Sequence, residues 1–297
     1  LYMKDCRVEQ NNWYGLEFLR CKDVSLVDLK CLDNGANGIN GGHTSNLIIR
    51  NVECSYNGWR SYFGGYGNWV DAGLKLFAGR NNLFDKVICR SNFANAFWLD
   101  SDFKDVVIKD CDFSYTYGVN EYLQGNGGNG VFLEFSQGPI LLKNCKIMYN
   151  EDGVYNSAAA NVTYDSCHFK GNKYSFNVIM HSRADQTTMT PDFYLRWKER
   201  PPEKNVVKNC ILEDETFFHY HDVSWGDKGG YLTFLNTLKC RKNVYKTENA
   251  TPFWANLGQS KTIKPVSYAD WVDRVQDIGS EAKMPKGKKS KTWGKQY

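Results

Sequence analysis

Apolar and polar residues alternate over short stretches of this chain, and the same stretch returns along most of its length. Two examples are Asp28-Leu29-Lys30-Cys31 and Asn51-Val52-Glu53-Cys54, in each of which two apolar residues flank a polar one. This period of two is typical of a β-strand with one buried face. Nine copies begin with the apolar positions Cys6, Leu29, Val52, Val87, Cys111, Cys145, Cys167, Cys210 and Leu238.

The spacing of the copies indicates a repeat architecture. Successive copies lie 23, 23, 35, 24, 34, 22, 43 and 28 residues apart, so the unit has 22 to 24 residues and a few turns carry insertions. An asparagine follows the first apolar position by five residues in seven of the nine copies, including the last one, where Asn243 follows Leu238. Stacked asparagines satisfy one another's amides at a buried turn. The sequence therefore predicts a parallel β-helix of about nine coils with loop insertions.

A leucine-rich repeat has a similar period, but the dense leucine framework and the helical half of that repeat are missing here. The repeated stretch instead resembles the pectin-lyase-like right-handed β-helix superfamily over about residues 5 to 250. That resemblance implies an all-β, right-handed solenoid. Members of the superfamily are mostly polysaccharide lyases, glycoside hydrolases, epimerases and phage tailspike depolymerases.

Three motifs carry a narrower resemblance. They are Trp59-Arg60 followed by residues 69–75, Phe97-Trp98-Leu99-Asp100, and residues 130–139. They are similar to a group of secreted bacterial β-helix proteins associated with carbohydrate breakdown, some of which are glycoside hydrolases. No catalytic assignment is carried over from that group, so the candidate residues below rest on strand geometry.

Composition and charge support one elongated domain. The chain has 297 residues with 42% hydrophobic content, and no run of 18 apolar residues predicts a membrane span. Six lysines lie in residues 283–297, so the rest of the chain has a formal charge of −2 although the whole carries +4. We predict a β-helix domain at 1–250, a C-terminal cap at 251–282 and a lysine-rich, disordered and solvated tail at 283–297. We expect no nucleic-acid partner and no membrane partner, and a monomer or weak oligomer.

Nine of the ten cysteines occupy inward strand positions. We predict one stack of Cys6, Cys111, Cys145, Cys167 and Cys210 and a second stack of Cys31, Cys54, Cys89 and Cys240. Cysteine at such positions is a small buried hydrophobe, so we expect free thiols rather than disulfides. No Cys-x-x-Cys or Cys/His ligand spacing predicts a zinc site.

The chain begins at Leu1 without a leader, which we interpret as a mature or truncated bacterial protein, secreted or periplasmic.

The second strand of each coil places its polar residues on the outer face. One outward row is predicted to hold Lys75, Trp98, Phe132 and Tyr155, and the next row Phe77, Asp100, Glu134 and Ser157. Adjacent coils lie about 4.8 Å apart, so Asp100 and Glu134 would be neighbours. A glycosidase needs such a pair, with one carboxyl protonated and the other ionised.

Roles follow from the position of Lys75. Because Lys75 is expected to lie nearer Asp100, that carboxylate is predicted to stay ionised as nucleophile or base, and Glu134 to act as the general acid. Asp102, two residues further and assigned to the same face, is the reserve carboxylate. The alternative interpretation is that these are solvated charges on an ordinary sheet face.

Three insertions, 59–71, 118–129 and 181–204, are expected to wall this face into a cleft. Aromatic and charged side chains on such walls suit sugars, whose C–H faces stack on rings. The candidate substrate-binding residues are Trp59, Arg60, Trp69, Asp71, Trp98, Tyr155, His181 and Arg183.

The sequence leaves three functions open, all with a polysaccharide or oligosaccharide partner. Under either enzymatic function, an anionic glycan would suit the arginines expected near the cleft, Arg60, Arg183, Arg196 and Arg200. The first is a glycoside hydrolase that uses Asp100 and Glu134 and needs no cofactor or metal. The second is a polysaccharide lyase, in which Ca²⁺ neutralises a uronate and Lys75 or Arg60 abstracts the proton. The third is a non-catalytic solenoid that binds glycans.

Overall fold

The computed structural model describes residues 1–64, 71–117, 128–179, 202–221, 228–256 and 263–286. Within these ranges the strands stack coil upon coil, and each pairs in parallel with its counterpart one coil later. Every coil contributes segments to three sheets, which we number in the order in which a coil meets them. The predicted parallel β-helix is confirmed.

Sheet 1 carries the repeated stretch. Its short strands are β2 (Arg7–Glu9), β5 (Lys30–Leu32), β9 (Asp112–Ser114), β12 (Lys146–Met148), β15 (His168–Lys170), β18 (Ile211–Glu213), β21 (Val244–Lys246) and β24 (Glu281–Lys283). The C-terminal ends of the long strands β6 (Ile39–Glu53) and β7 (Ala72–Arg90) complete it between β5 and β9.

Sheet 2 carries the candidate carboxylates. It consists of β3 (Leu16–Leu19), the first segments of β6, β7 and β8 (Asn95–Lys109), and then β10 (Asn129–Glu134), β13 (Asp152–Ser157), β16 (Tyr174–Ile179), β19 (Thr216–His221) and β22 (Phe253–Asn256). One antiparallel strand, β23 (Ile263–Val266), pairs with β22 at the C-terminal end.

Sheet 3 closes each coil. It consists of β1 (Tyr2–Lys4), β4 (Lys22–Val27), later segments of β6, β7 and β8, and then β11 (Ile140–Lys143), β14 (Val162–Asp165), β17 (Val206–Lys208) and β20 (Lys239–Arg241). The three sheets enclose one continuous apolar core that runs through all the coils.

An asparagine ladder marks the turn between sheets 1 and 2. The side-chain amide of Asn34 donates to Asn57 Oδ1 at 2.9 Å, and the amide of Asn57 donates to Asn92 Oδ1 at 3.2 Å. The same oxygens also accept the backbone N–H of the preceding ladder residue. Further along, Asn150 donates to Asn172, and Asp214 takes the next place. The ladder predicted from the constant asparagine offset is therefore present.

The last predicted copy of the repeat is wrong in register. Asn243, expected in the asparagine ladder, instead lies level with Cys210 and accepts that residue's backbone N–H. Val244 pairs with Ile211, whereas Cys240 pairs with Val207 in sheet 3. The prediction followed the Leu-x-Cys spacing, which recurs by chance five residues too early.

The same shift removes Cys240 from the second cysteine stack. The remaining assignments agree with inward strand positions: eight of the ten cysteines are buried, and Cys6 and Cys21 are half-buried. All ten are free thiols in the structure. Burial raises the pKa of the Cys54 and Cys89 thiols, so the neutral, apolar form fills the core.

The described ranges contain three short helices: α1 (Trp59–Gly64), α2 (Lys228–Thr237) and α3 (Tyr268–Val275). Helix α3 is capped by Ser267, whose hydroxyl accepts the N–H of Asp270, and it buries Trp271 against Phe253 at 4.7 Å between ring centroids. Parallel pairing continues beyond residue 250 into β22 and β24. The division at residues 250 and 282 stays a prediction, and residues 287–297 lie outside the described ranges.

Candidate active site

The outer face of sheet 2 has the two predicted rows in register. Lys75 lies beside Trp98, Trp98 beside Phe132, and Phe132 beside Tyr155 on successive coils. In the next row, Phe77, Asp100, Glu134 and Ser157 follow one another in the same way. Asp100 and Glu134 are therefore direct neighbours across one parallel pairing, where strands lie about 4.8 Å apart.

Lys75 joins this pair from the preceding coil. Its Nζ lies 3.3 Å from Asp100 Oδ2, and both side chains are largely buried. Burial lowers the pKa of Lys75, while the charges of Asp100, Glu134 and Asp71 oppose that shift. The ammonium is thus surrounded by three carboxyl groups in a poorly solvated place, where charge interactions are stronger than in water.

Asp71 behaves differently from the other two carboxyls. It is 1% exposed, and burial raises its pKa to about 8 although the charge of Lys75 acts in the opposite direction. Near neutral pH the Asp71 carboxyl is therefore mostly protonated. It adds a neutral acid beside the charged pair rather than a third negative charge.

The aromatic row does not face solvent as predicted. Trp98 is fully buried, and Phe132 and Tyr155 are each 5% exposed. Together with Ala72 and Ile179 they form a second apolar cluster on the outside of the sheet. The Trp98 ring stacks on Phe132 with centroids 4.6 Å apart, and Lys75 Nζ lies 3.4 Å from the Trp98 centroid. Alternation places a side chain inside or outside a sheet, but it does not determine whether the outside is exposed.

Trp98 therefore offers no open ring face to a ligand. Its position under Lys75 instead makes it a cation–π partner that holds the ammonium toward Asp100.

Asp102 does not continue the row of Asp100. Ser101 and Asp102 both have φ in the left-handed region, and the pairing of β7 with β8 shifts at this point. Strict alternation therefore ends before Asp102. The Asp102 carboxylate forms an ion pair with Arg80, and the sequence prediction of a shared face is wrong.

Two of the predicted wall residues lie at the turn of earlier coils. Trp59 Nε1 donates to the Asp33 carbonyl at 3.1 Å, and Arg60 Nη1 donates to the Asn12 carbonyl at 3.3 Å. The Arg60 guanidinium also lies 5.2 Å from the Trp13 ring centroid. These contacts are made with coils that precede Lys75. Trp69, His181 and Arg183 lie outside the described residues.

The family comparison agrees with this architecture. Residues 1–137 match the family model described as right-handed beta helix region. The chain is a right-handed parallel β-helix.

Solved structures with the same fold include three carbohydrate enzymes. The β-helix superposes on a periplasmic alginate epimerase with a TM-score of 0.54 and 11% identity, covering 92% of this chain and 48% of that one. It superposes on the A-module of a mannuronan C-5 epimerase from Azotobacter vinelandii with a TM-score of 0.57 and 12% identity, covering 89% and 59%. An endo-xylogalacturonan hydrolase from Aspergillus tubingensis gives 0.56 and 9% identity, covering 95% and 84%.

The β-helix thus spans about half the length of the alginate epimerase that it matches. No curated protein sequence matches it. At these identities the superpositions establish the fold and nothing finer.

The outer face of the β-helix extends beyond the predicted site. On the coils after Tyr155 the same row holds Asn177 and His219. Sequence reasoning missed these residues because it stopped at Tyr155, although Phe176-Asn177-Val178 and Phe218-His219-Tyr220 show the same alternation. The long insertion between β16 and β19 hides the repeat at this point.

The described ranges contain neither an assembled metal site nor a membrane-spanning helix. Among these residues, no group of three or more His, Cys, Asp or Glu side chains is arranged to hold a metal ion. No helix in the same part of the chain is long and apolar enough to cross a membrane. The Ca²⁺ of the lyase alternative stays a prediction.

Proposed function

We propose that this protein hydrolyses glycosidic bonds in a polysaccharide and that Asp100 and Glu134 are its carboxylate pair. The observation that carries the proposal is their direct pairing on adjacent coils of the outer face, with Lys75 at 3.3 Å from Asp100. The strand spacing of about 4.8 Å is near the carboxyl separation of about 5 Å used by retaining glycosidases, and the side-chain rotamers of the pair set the final distance.

The roles follow from local charge. Glycoside hydrolysis by such a pair needs one carboxyl as proton donor and the other as carboxylate. Lys75 stabilises the anion of Asp100, which makes Asp100 the nucleophile or base. Glu134, only 2% exposed, is then the proton donor to the leaving oxygen.

The similarity in fold to polysaccharide enzymes supports a polymer as substrate, and a polymer substrate favours a secreted or periplasmic location.

One observation favours a second candidate. Burial lowers the pKa of Lys75, which increases the fraction of neutral amine able to abstract a proton from the carbon beside a uronate carboxyl. Such a reaction would be β-elimination or epimerisation on an anionic polysaccharide. The carboxyl groups around Lys75 work against it, because they favour the ammonium form. Hydrolysis therefore ranks first.

A panel of polysaccharides, including alginate and xylogalacturonan, tests the proposal. Each reaction is assayed in parallel for new reducing ends and for the ultraviolet absorbance of unsaturated ends. We expect reducing ends without unsaturation, unchanged by a chelator. Unsaturated products that disappear on chelation would replace the hydrolase with the lyase. Binding without any product across the panel would leave a glycan-binding solenoid.

A further inference from the structure

The C-terminal half of the outer face of sheet 2 carries a cluster of rings that is separate from the Asp100 and Glu134 pair. Tyr174 and His219 stack with centroids 4.4 Å apart and an interplanar angle of 16°. Trp254, on the next coil, meets His219 edge to face at 5.0 Å. In contrast to the fully buried Trp98, each of the three keeps part of its surface in solvent.

Polar groups line the same cluster. The Asn177 side-chain amide donates to Asp152 Oδ2 at 2.8 Å, so its oxygen faces His219 Nδ1, which lies 3.2 Å away. The Asp152 side chain is 7% exposed, and its Oδ1 accepts no hydrogen bond within the described part of the chain. Burial raises the pKa of Asp152 to about 7, so this carboxyl is partly protonated near neutral pH. The Asp152 carboxyl holds the Asn177 amide, and Asn177 in turn orients the His219 ring.

Charge around the cluster indicates the kind of ligand. Asp152 and Glu151 contribute carboxyl groups, and the nearby Lys173 ammonium lies 3.9 Å from Glu151 and 5.1 Å from the Tyr174 ring centroid. Lys173 offsets the charge of Glu151, and the raised pKa of Asp152 leaves that carboxyl partly neutral, so the cluster carries little net charge to attract an ionic ligand. Rings with adjacent hydroxyl acceptors suit an uncharged pyranose, which stacks its C–H face and donates its hydroxyl protons.

The position of the cluster relates it to the candidate active site. His219 is three coils beyond Glu134 on the same face, which corresponds to about 14 Å. An oligosaccharide of a few residues spans this distance along the solenoid.

We propose that Tyr174, His219 and Trp254 form a subsite for an uncharged sugar residue of the polysaccharide, with Asp152 and Asn177 holding the His219 ring in place. This inference rests on the proposed function for the identity of the polymer, but its binding can be measured without turnover.

Affinity electrophoresis in native gels tests the subsite. The Glu134→Gln protein, which is expected to leave the polymer intact, is run in gels that contain xylogalacturonan, xylan or alginate. Trp254→Ala and His219→Ala are then introduced into this background. We expect at least one of the two polymers that contain neutral sugars to retard the parent protein. Each ring deletion should raise the dissociation constant about tenfold, whereas Trp254→Phe should keep most of the affinity.

Tyr149→Ala is the matched control. Tyr149 is an exposed ring that stacks on Tyr115 at the turn between sheets 1 and 2, and its removal should leave retardation unchanged. The circular dichroism spectra of all variants should coincide. An unchanged dissociation constant in Trp254→Ala and His219→Ala overturns the proposal, as do equal losses in Tyr149→Ala, retardation by alginate alone, and no retardation by any of the three polymers.

The subsite and the proposed hydrolysis fail in different ways. If the wild-type chain releases no reducing ends but its retardation depends on Trp254, the hydrolase is wrong and the subsite stands. If turnover occurs while retardation is independent of Trp254 and His219, the subsite is wrong and the hydrolase stands.

Discussion

Lys75 determines the electrostatics of the candidate site at the scale of single residues. Its Nζ lies against both Asp100 and the Trp98 ring, and its surroundings contain Asp71 and Glu134 as well. The buried ammonium of Lys75 thus offsets the electrostatic repulsion between the Asp100 and Glu134 carboxyl groups. Asp71, with a pKa raised by burial, adds no charge near neutral pH. The asymmetry between Asp100 and Glu134 follows from which of them Lys75 contacts.

The first prediction concerns these two carboxylates. Asp100→Asn and Glu134→Gln should each lower kcat by about a thousandfold or more on a confirmed substrate, because an amide keeps the shape but transfers no proton. Steady-state kinetics measure this loss, and polysaccharide binding should persist. Substrates with good leaving groups should partly restore the activity of Glu134→Gln, since they need no acid.

Glu213→Gln provides the control for a general loss of charge. Glu213 lies on sheet 1, three coils after the coil of Glu134, in a cluster with Lys246 and Lys170. This change should leave kcat within about twofold. Full activity in both Asp100→Asn and Glu134→Gln would show that the assigned pair is wrong.

The asparagine ladder is the feature that joins coils at the scale of structural elements. Asn57, in the middle of the ladder, is buried, accepts from Asn34 and donates to a backbone carbonyl as well as to Asn92. Asp214 departs from this pattern, because a carboxylate accepts the amide and N–H of Asn172 and the hydroxyl of Ser175 but donates nothing when ionised. The ladder therefore contains a titratable end.

The second prediction tests a ladder position in the middle. Asn57→Ala should lower the free energy of unfolding by about 3 kcal/mol, because it leaves the buried N–H and amide of Asn34 without acceptors. Urea denaturation measures the change. Asn11→Ala, at the exposed end of the ladder, should cost less than about 1 kcal/mol. Equal costs for the two would show that the ladder does not stabilise the stack through buried amides.

The third prediction concerns the pH dependence of stability. Burial raises the pKa of Asp214 to about 6 from an ordinary value of 3.8. The folded protein therefore binds more protons than the unfolded chain between those values, and stability falls as pH rises through this window. Asp214→Asn keeps the acceptor for Asn172 and removes the titration. It should match the wild type at pH 4 and exceed it by up to roughly 3 kcal/mol at pH 8.

Thermal unfolding followed at pH 4, 6 and 8 tests this difference. Asn172→Asp, one coil earlier, is the reciprocal variant and should become less stable as pH rises. A constant difference between Asp214→Asn and the wild type at all three pH values would contradict the assignment of Asp214.

At the scale of the whole molecule, three sheets enclose one continuous apolar core, and the reactivity of the cysteines measures how closed that core is. Eight thiols are buried inside it, and only Cys6 and Cys21, on the first coils, are half-buried. Because neighbouring coils share the core without a break, a reagent reaches the inner thiols only when coils separate.

The fourth prediction therefore counts reactive thiols. A thiol reagent should titrate about two cysteines in the native protein and all ten after denaturation, and intact mass should show no disulfide. Cys21→Ser should remove one fast-reacting thiol, whereas Cys111→Ser should remove none. Several defined disulfides, or ten fast thiols, would contradict the closed core.

Much of the whole-molecule architecture could be predicted from the sequence. Alternation fixes which side of a strand a residue takes, and the constant coil length brings equivalent positions into register, so Asp100 and Glu134 could be placed side by side. Chance repetition misled the same reasoning at the end of the chain, where Leu238-x-Cys240 imitates the repeated stretch while the true counterpart of Cys210 is Asn243.

The sequence by itself determined the solenoid, its inward stacks and the adjacency of the carboxylate pair, because these depend on local period and on a repeated length. Only the tertiary structure decided that Trp98 is buried against Lys75, that Asp102 turns toward Arg80, and that His219 meets Tyr174 and Trp254. These features depend on the turns between sheets, on residues whose backbone is in the left-handed region, and on contacts between residues that long insertions separate. Such contacts join residues whose separation follows no period, so no pattern along the chain encodes them.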